Sequence, residues 1–213
     1  ETPTTATPTM PWCAHSMKWK TRDSGGFHAT SVLAAETEMQ SLVAQGPTSG
    51  YCDADITSAA GLSNRNICGG TTKENIAYYL DIGFTAATSG EYSFTVMMDF
   101  GDNGFFVVVV DESGQFGSNV YSALGATNWN QPHTLNAQLV AGSTYHLVLT
   151  GFEDCCDGQG YVNVKLPDSN TYETLTRDLL EGQCAVISPT DTPTETPTTA
   201  TPTETPTETA TTA

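Results

Sequence analysis

The sequence predicts a mainly β protein: an antiparallel, jelly-roll-like β-sandwich with one short helix, flanked by extended Thr/Pro-rich tails of polyproline II type. Three observations predict it. From residue 76 onward, short alternating or apolar runs recur at regular spacing, separated by Gly, Asn, Asp and Ser clusters. One stretch after residue 31 carries a helical period. The string ETPTTATPT occurs at 1–9 and again at 195–203, on either side of a segment rich in aromatics, Val, Gly and Cys. The chain therefore reads as a linker at 1–10, a disulfide-bonded domain at 11–187 and a linker at 188–213, one unit of a longer array.

In order along the domain, residues 12–20 (WCAHSMKWK) alternate enough for a first strand, and 22–26 read as a turn. Thr30 or Ser31 can cap a helix that runs to about Gln45. Val32, Ala35, Met39, Leu42 and Val43 form its apolar face, and Gly46-Pro47 ends it. Residues 51–57 read as a strand and 61–75 as a loop turning at Gly69-Gly70. The expected strands after that are 76–86, 91–99, 105–111, 133–139, 144–152 and 160–166. Turns at 88–90, 99–104 and 141–143 join them. Residues 172–180 fit a last strand or a short helix.

The tails contain no Leu, Ile, Val, Phe, Tyr or Trp before Met10 or after Ile187, so they have no apolar face to offset the entropy of ordering. Recurrent Pro excludes helix and central strand, leaving polyproline II or a loose extended chain. At ~3.1 Å per residue, the C-terminal tail would span roughly 80 Å. Thr-rich, Pro-rich tracts carry the composition of O-glycosylated stalks. The candidate acceptors are Thr2, Thr4, Thr5, Thr7 and Thr9 in the first tail. In the second they are Thr190, Thr192, Thr194, Thr196, Thr198, Thr199, Thr201, Thr203, Thr205, Thr207, Thr209, Thr211 and Thr212. A step of two along a three-residue turn puts hydroxyls on every side of the rod. No Asn-x-Ser/Thr sequon occurs.

The formal charge is −17, with seven Lys and Arg against 24 Asp and Glu. That balance argues against nucleic acid or an anionic membrane as partner. No run approaches the ~18 apolar residues of a membrane span. Lacking an initial Met or signal peptide, the sequence reads as a mature or excised chain. Six cysteines without Cys-x-x-Cys spacing favour disulfides over zinc, and so an oxidising, extracellular or cell-surface setting. Cys13–Cys184 would clasp the ends of the domain, and Cys52–Cys68 would be a local staple. Cys155 and Cys156 either bond each other or each reach a distant partner.

Three stretches together resemble a known family: SLVAQGPTSGYCDADI at 41–56, SGEYSFTVMMDFGDNGFFVVVVDESG at 89–114 and LVAGSTYHLVLTGFEDCCDGQGYVNVKL at 139–166. They are similar to the extracellular β-sandwich of bacterial exported proteins that carry a Cys-Cys-x-Gly signature. That family is related in layout to yeast flocculin adhesins and to the anthrax protective-antigen insert. The resemblance implies a sandwich fold and a bond between Cys155 and Cys156, because adjacent cysteines are often the only two in similar sequences. The yeast adhesins hold sugar through a calcium on two neighbouring aspartates. This chain has no Asp-Asp pair, so that site does not carry over.

Other carboxylates remain candidates for calcium: Asp99 and Asp102 around a tight turn, and Glu153, Asp154 and Asp157 around the cysteine pair. Turn-forming, solvated acids are the simpler account of them. Trp129, Tyr121, Asn128 and Asn130 lie in a loop-rich stretch where a ring can stack on a sugar and amides can hydrogen-bond it. No catalytic motif occurs, and His133 and His146 sit on expected strands as structural residues. The sequence thus leads to a non-enzymatic structural repeat of an extracellular glycoprotein fibre or stalk, assembling with copies of itself through O-glycosylated rods. The alternative is a carbohydrate-binding adhesin module on such a stalk, with no cofactor beyond a possible calcium.

Overall fold

The computed structural model describes residues 15–98, 105–111, 122–126 and 132–186. Two antiparallel sheets face each other. The first has six strands in the order β2-β1-β4-β9-β6-β7. These are β1 (Ser16–Asp23), β2 (Asp53–Asp55), β4 (Glu74–Thr85), β6 (Phe105–Asp111), β7 (Ser122–Ala126) and β9 (Thr144–Cys155). The second runs β11-β10-β5-β8, with β3 sharing the outer edge of β10. Its members are β3 (Ala60–Leu62), β5 (Gly90–Met97), β8 (His133–Leu139), β10 (Gly160–Lys165) and β11 (Glu173–Thr174). The mainly β sandwich expected from the sequence is the fold observed.

Alternation explains the core. Tyr92, Phe94 and Val96 of β5 point inward with Leu135, Ala137 and Leu139 of β8 and Val162 and Val164 of β10. They meet Met17, Trp19, Leu80, Ile82, Leu147 and Leu149 from the first sheet. The long central strands β4 and β9 are buried on their second face too. There Ala77, Val148 and Phe152 receive Ala35 and Met39 of helix α1 (Val32–Val43). Phe152 also lies 5.0 Å, ring to ring, from Phe27. The molecule is therefore layered as helix, sheet, sheet.

Three helices are described where one was expected. The expected helix is α1, and Ser31 caps it by accepting a hydrogen bond from the Ala34 amide at 3.1 Å. Its C-terminal end has no basic residue of its own. Arg22 reaches over from β1 instead, donating from Nε to the Gln45 carbonyl at 2.8 Å and from Nη1 to Asp53 at 2.6 Å. Arg22 is consequently a buried strand residue and not part of a turn. The expected loop at 61–75 contains β3 and a second helix, α2 (Asn64–Cys68), too short to show a period. The stretch at 172–180 resolves into β11 followed by α3 (Arg177–Val186). The strand expected at 51–57 shrinks to Asp53–Asp55, and β7 lies within the stretch read as loop-rich.

His15 Nε2 lies 3.0 Å from Glu181 Oε1, so the start of β1 and the body of α3 meet. Cys13, the Cys184 side chain and both Thr/Pro tails, with all the candidate glycosylation sites, lie outside the described residues.

Candidate functional site at the cystine loop

The Cys-Cys-Asp-Gly stretch leaves the end of β9 as a loop in which exposed and buried residues are adjacent. Cys155 and Cys156 are bonded to each other and exposed. Asp157, the next residue, is fully buried and adopts a left-handed backbone with φ 53°. Asp tolerates that conformation better than most residues. The turn swings its carboxylate onto the first amides of α2. Asn64 N–H donates to Oδ1 at 2.8 Å and Arg65 N–H to Oδ2 at 2.7 Å. The Tyr78 hydroxyl donates to Oδ1 at 3.2 Å. The amides at a helix start lack intrahelical acceptors, so an anion there satisfies both at once.

The α2 segment is itself pinned from three sides. Ser63 caps it, and Gly69, at φ 68°, ends it in the left-handed region. The Asn64 side chain donates to the Gly50 carbonyl at 2.7 Å and accepts from the Thr21 hydroxyl at 2.6 Å. Cys68 is bonded to Cys52, 16 residues earlier. A loop of that length closed by a disulfide is worth about 3 kcal/mol in the chain-entropy account. The double variant Cys52→Ser/Cys68→Ser is therefore expected to lose about 2–4 kcal/mol in denaturant unfolding; a loss under about 0.5 kcal/mol would show that the polar network alone holds α2.

The three acids expected near the cysteines do not converge. Asp157 is committed to α2. Glu153 accepts the Cys155 amide at 2.7 Å. Asp154 lies 3.6 Å from His28 Nε2 on the helix-covered side. No three His, Cys, Asp or Glu side chains are grouped to hold a metal ion among the described residues. These residues therefore do not fit a calcium centre. Asp99 and Asp102 lie outside the described residues, as do Tyr121, Asn128, Trp129 and Asn130.

One polar pair went unseen in the sequence. His146 Nδ1 and Asp81 Oδ1 are 2.7 Å apart on the outer face of the first sheet. The imidazole lies over Gly83, where an added Cβ would come within 3.3 Å of the ring. The partners are 65 residues apart, and only the β4–β9 register brings them together.

No family model matches the chain, and no curated protein matches it. Among solved structures, the sandwich is similar to the A domain of epithelial adhesin 9 from Candida glabrata in complex with Galb1-4GlcNAc. That likeness has a TM-score of 0.53 and 12% identity over 80% of this chain and 94% of that one. It is similar also to a subtype-switched epithelial adhesin 9 to 1 A domain from Candida glabrata, in complex with beta-lactose. There the TM-score is 0.53 and the identity 13%, over 79% of this chain and 92% of that one. An anti-sigma factor domain-containing protein shares the fold at a TM-score of 0.50 and 12% identity, covering 78% of this chain and 47% of that chain. The likeness is one of fold.

Proposed function

We propose that the chain is a secreted or cell-surface carbohydrate-binding module of adhesin type, presented on its Thr/Pro-rich tails. The observation that carries this reading is a sandwich similar, over 80% of this chain and 94% of the other, to an adhesin domain crystallised with a galactose-containing disaccharide. The acidic charge and the disulfides agree with an extracellular setting. Calcium is not part of the reading, since the described acids are engaged separately. Binding of the whole chain to a broad glycan array, including Galb1-4GlcNAc and beta-lactose, is the expected result. Silence across the array overturns the reading.

The duplicated ETPTTATPT favours a second reading, in which the module is one bead of a fibre joined head to tail through O-glycosylated rods. Glycopeptide mass analysis should then find sugars on the tail threonines. Native material that stays a bare monomer would remove the fibre.

A further inference from the structure

The outer face of the second sheet carries rows of polar side chains. Along β5, β8 and β10 the apolar half of each alternation enters the core, and the other half forms cross-strand rows facing out. One row reads Thr174, Asn163, Thr95, Thr134. The next reads Lys165, Ser93, Asn136. The phenol of Tyr172 lies over this second row, its hydroxyl 2.7 Å from Ser93 Oγ and its ring centroid 5.8 Å from Lys165 Nζ. On the other side of the first row Tyr161 stands opposite Met97. At ~3.3 Å per residue, Tyr161 and Lys165 are about 13 Å apart along β10, so the two tyrosines bracket the hydroxyl and amide rows.

Charge and exposure narrow the occupant. The chain carries −17, yet these rows hold one charged side chain, Lys165, and the next outward row adds Glu91 opposite Gln138. A polyanion needs several cations to bind. A protein interface needs an apolar centre, and apart from Met97, Lys165 and the two tyrosine rings these rows are hydroxyl and amide groups. Hydroxyls and carboxamides each donate and accept, as sugar hydroxyls do, and an exposed aromatic ring offers an apolar plane with a polar tip. Among the described residues, helix α1 packs mainly on β1, β4, β6 and β9, α3 on β4, and α2 only on the short edge strand β3 of this sheet, while Thr134 and Asn136 on this face are exposed. Tyr172 is 44% exposed.

We propose that this face binds a neutral oligosaccharide laid across the rows, with Tyr161 and Tyr172 against sugar rings and Asn136, Asn163 and Thr134 hydrogen-bonding its hydroxyls without a metal. The proposal rests on the carbohydrate-binding reading and locates its site. The test takes the best ligand of the whole chain from a glycan array and measures affinity by calorimetry, with and without EDTA. The variants are Tyr172→Ala, Asn136→Ala, Thr134→Ala and Trp129→Ala, with thermal melting as a fold check. Asn136 and Thr134 are exposed, so their removal leaves the core intact. At least tenfold weaker binding in Tyr172→Ala, and in Asn136→Ala/Thr134→Ala at unchanged melting temperature, is expected, with no effect of EDTA. Unchanged affinity in these variants, or loss confined to Trp129→Ala or to EDTA, overturns the face and leaves the carbohydrate-binding reading standing. Absence of binding by the parent chain across the array overturns both.

Discussion

Asp157→Ala is expected to destabilise the domain by about 3–5 kcal/mol, the upper range for a substitution that breaks a buried hydrogen-bond network. The variant removes the carboxylate acceptor of the Asn64 and Arg65 amides and one partner of the Tyr78 hydroxyl, at a position where Asp157 itself is fully buried. Hydrogen bonds to a charged group contribute about 1.5–3 kcal/mol each, and the three are not additive. Alanine also suits the left-handed backbone at 157 poorly. For a domain of this size the melting temperature should fall by roughly 10 °C. Asp157→Asn keeps an acceptor oxygen and the tolerance of left-handed φ, and should recover part of the loss. Amide exchange at Asn64 and Arg65 should rise well above that in β4. A loss below about 1 kcal/mol in thermal unfolding would mean that the cystine loop is not held through this carboxylate.

Phe152→Ala is the second large effect, at about 3–5 kcal/mol for a buried aromatic truncated to alanine. The ring is 2% exposed and is the largest buried side chain of the cluster beneath α1. A twelve-residue helix is marginal by itself, so α1 depends on its buried stripe, of which Ala35 and Met39 are the fully covered members. The loss should therefore be uneven. Hydrogen exchange is expected to accelerate more in α1 than in β5 and β8, which do not touch that cluster. Uniform acceleration through both sheets would show that helix and sandwich open as one unit.

These two sites were visible in the sequence to different degrees. Met39 and Ala35 announce themselves through helical spacing, and β5, β8 and β10 through a strict period of two that the structure reproduces. Their inward halves are Tyr92, Phe94, Leu135, Val162 and neighbours. Asp157 looked like a solvated turn acid or a calcium ligand, because its partners lie 92 and 93 residues upstream. Short α2 exists in order to meet it: Ser63 and Gly69 mark the ends, but five residues carry no readable period. Arg22, read with the turn at 22–26, is instead a strand residue whose donors are consumed by the end of α1 and by Asp53. Strand β7, SALGA, has no β-branched residue to advertise it. The outward rows of the second sheet were legible as polar positions. Which of them are neighbours is a matter of register, and that depends on strands far apart in the chain.

The contact between His15 and Glu181 has a mechanical meaning. Among the described residues, the start of β1 and the middle of α3 approach to 3.0 Å at that contact. A pull applied at these two residues does not stretch the sandwich along its strands. It loads the Ser16–Gly83 rung of β1 and the root of α3 first, and then one rung at a time, as a zipper opens from its end. Were such domains joined in series at these two residues, each would hang to one side as a pendant, adding bulk without adding reach.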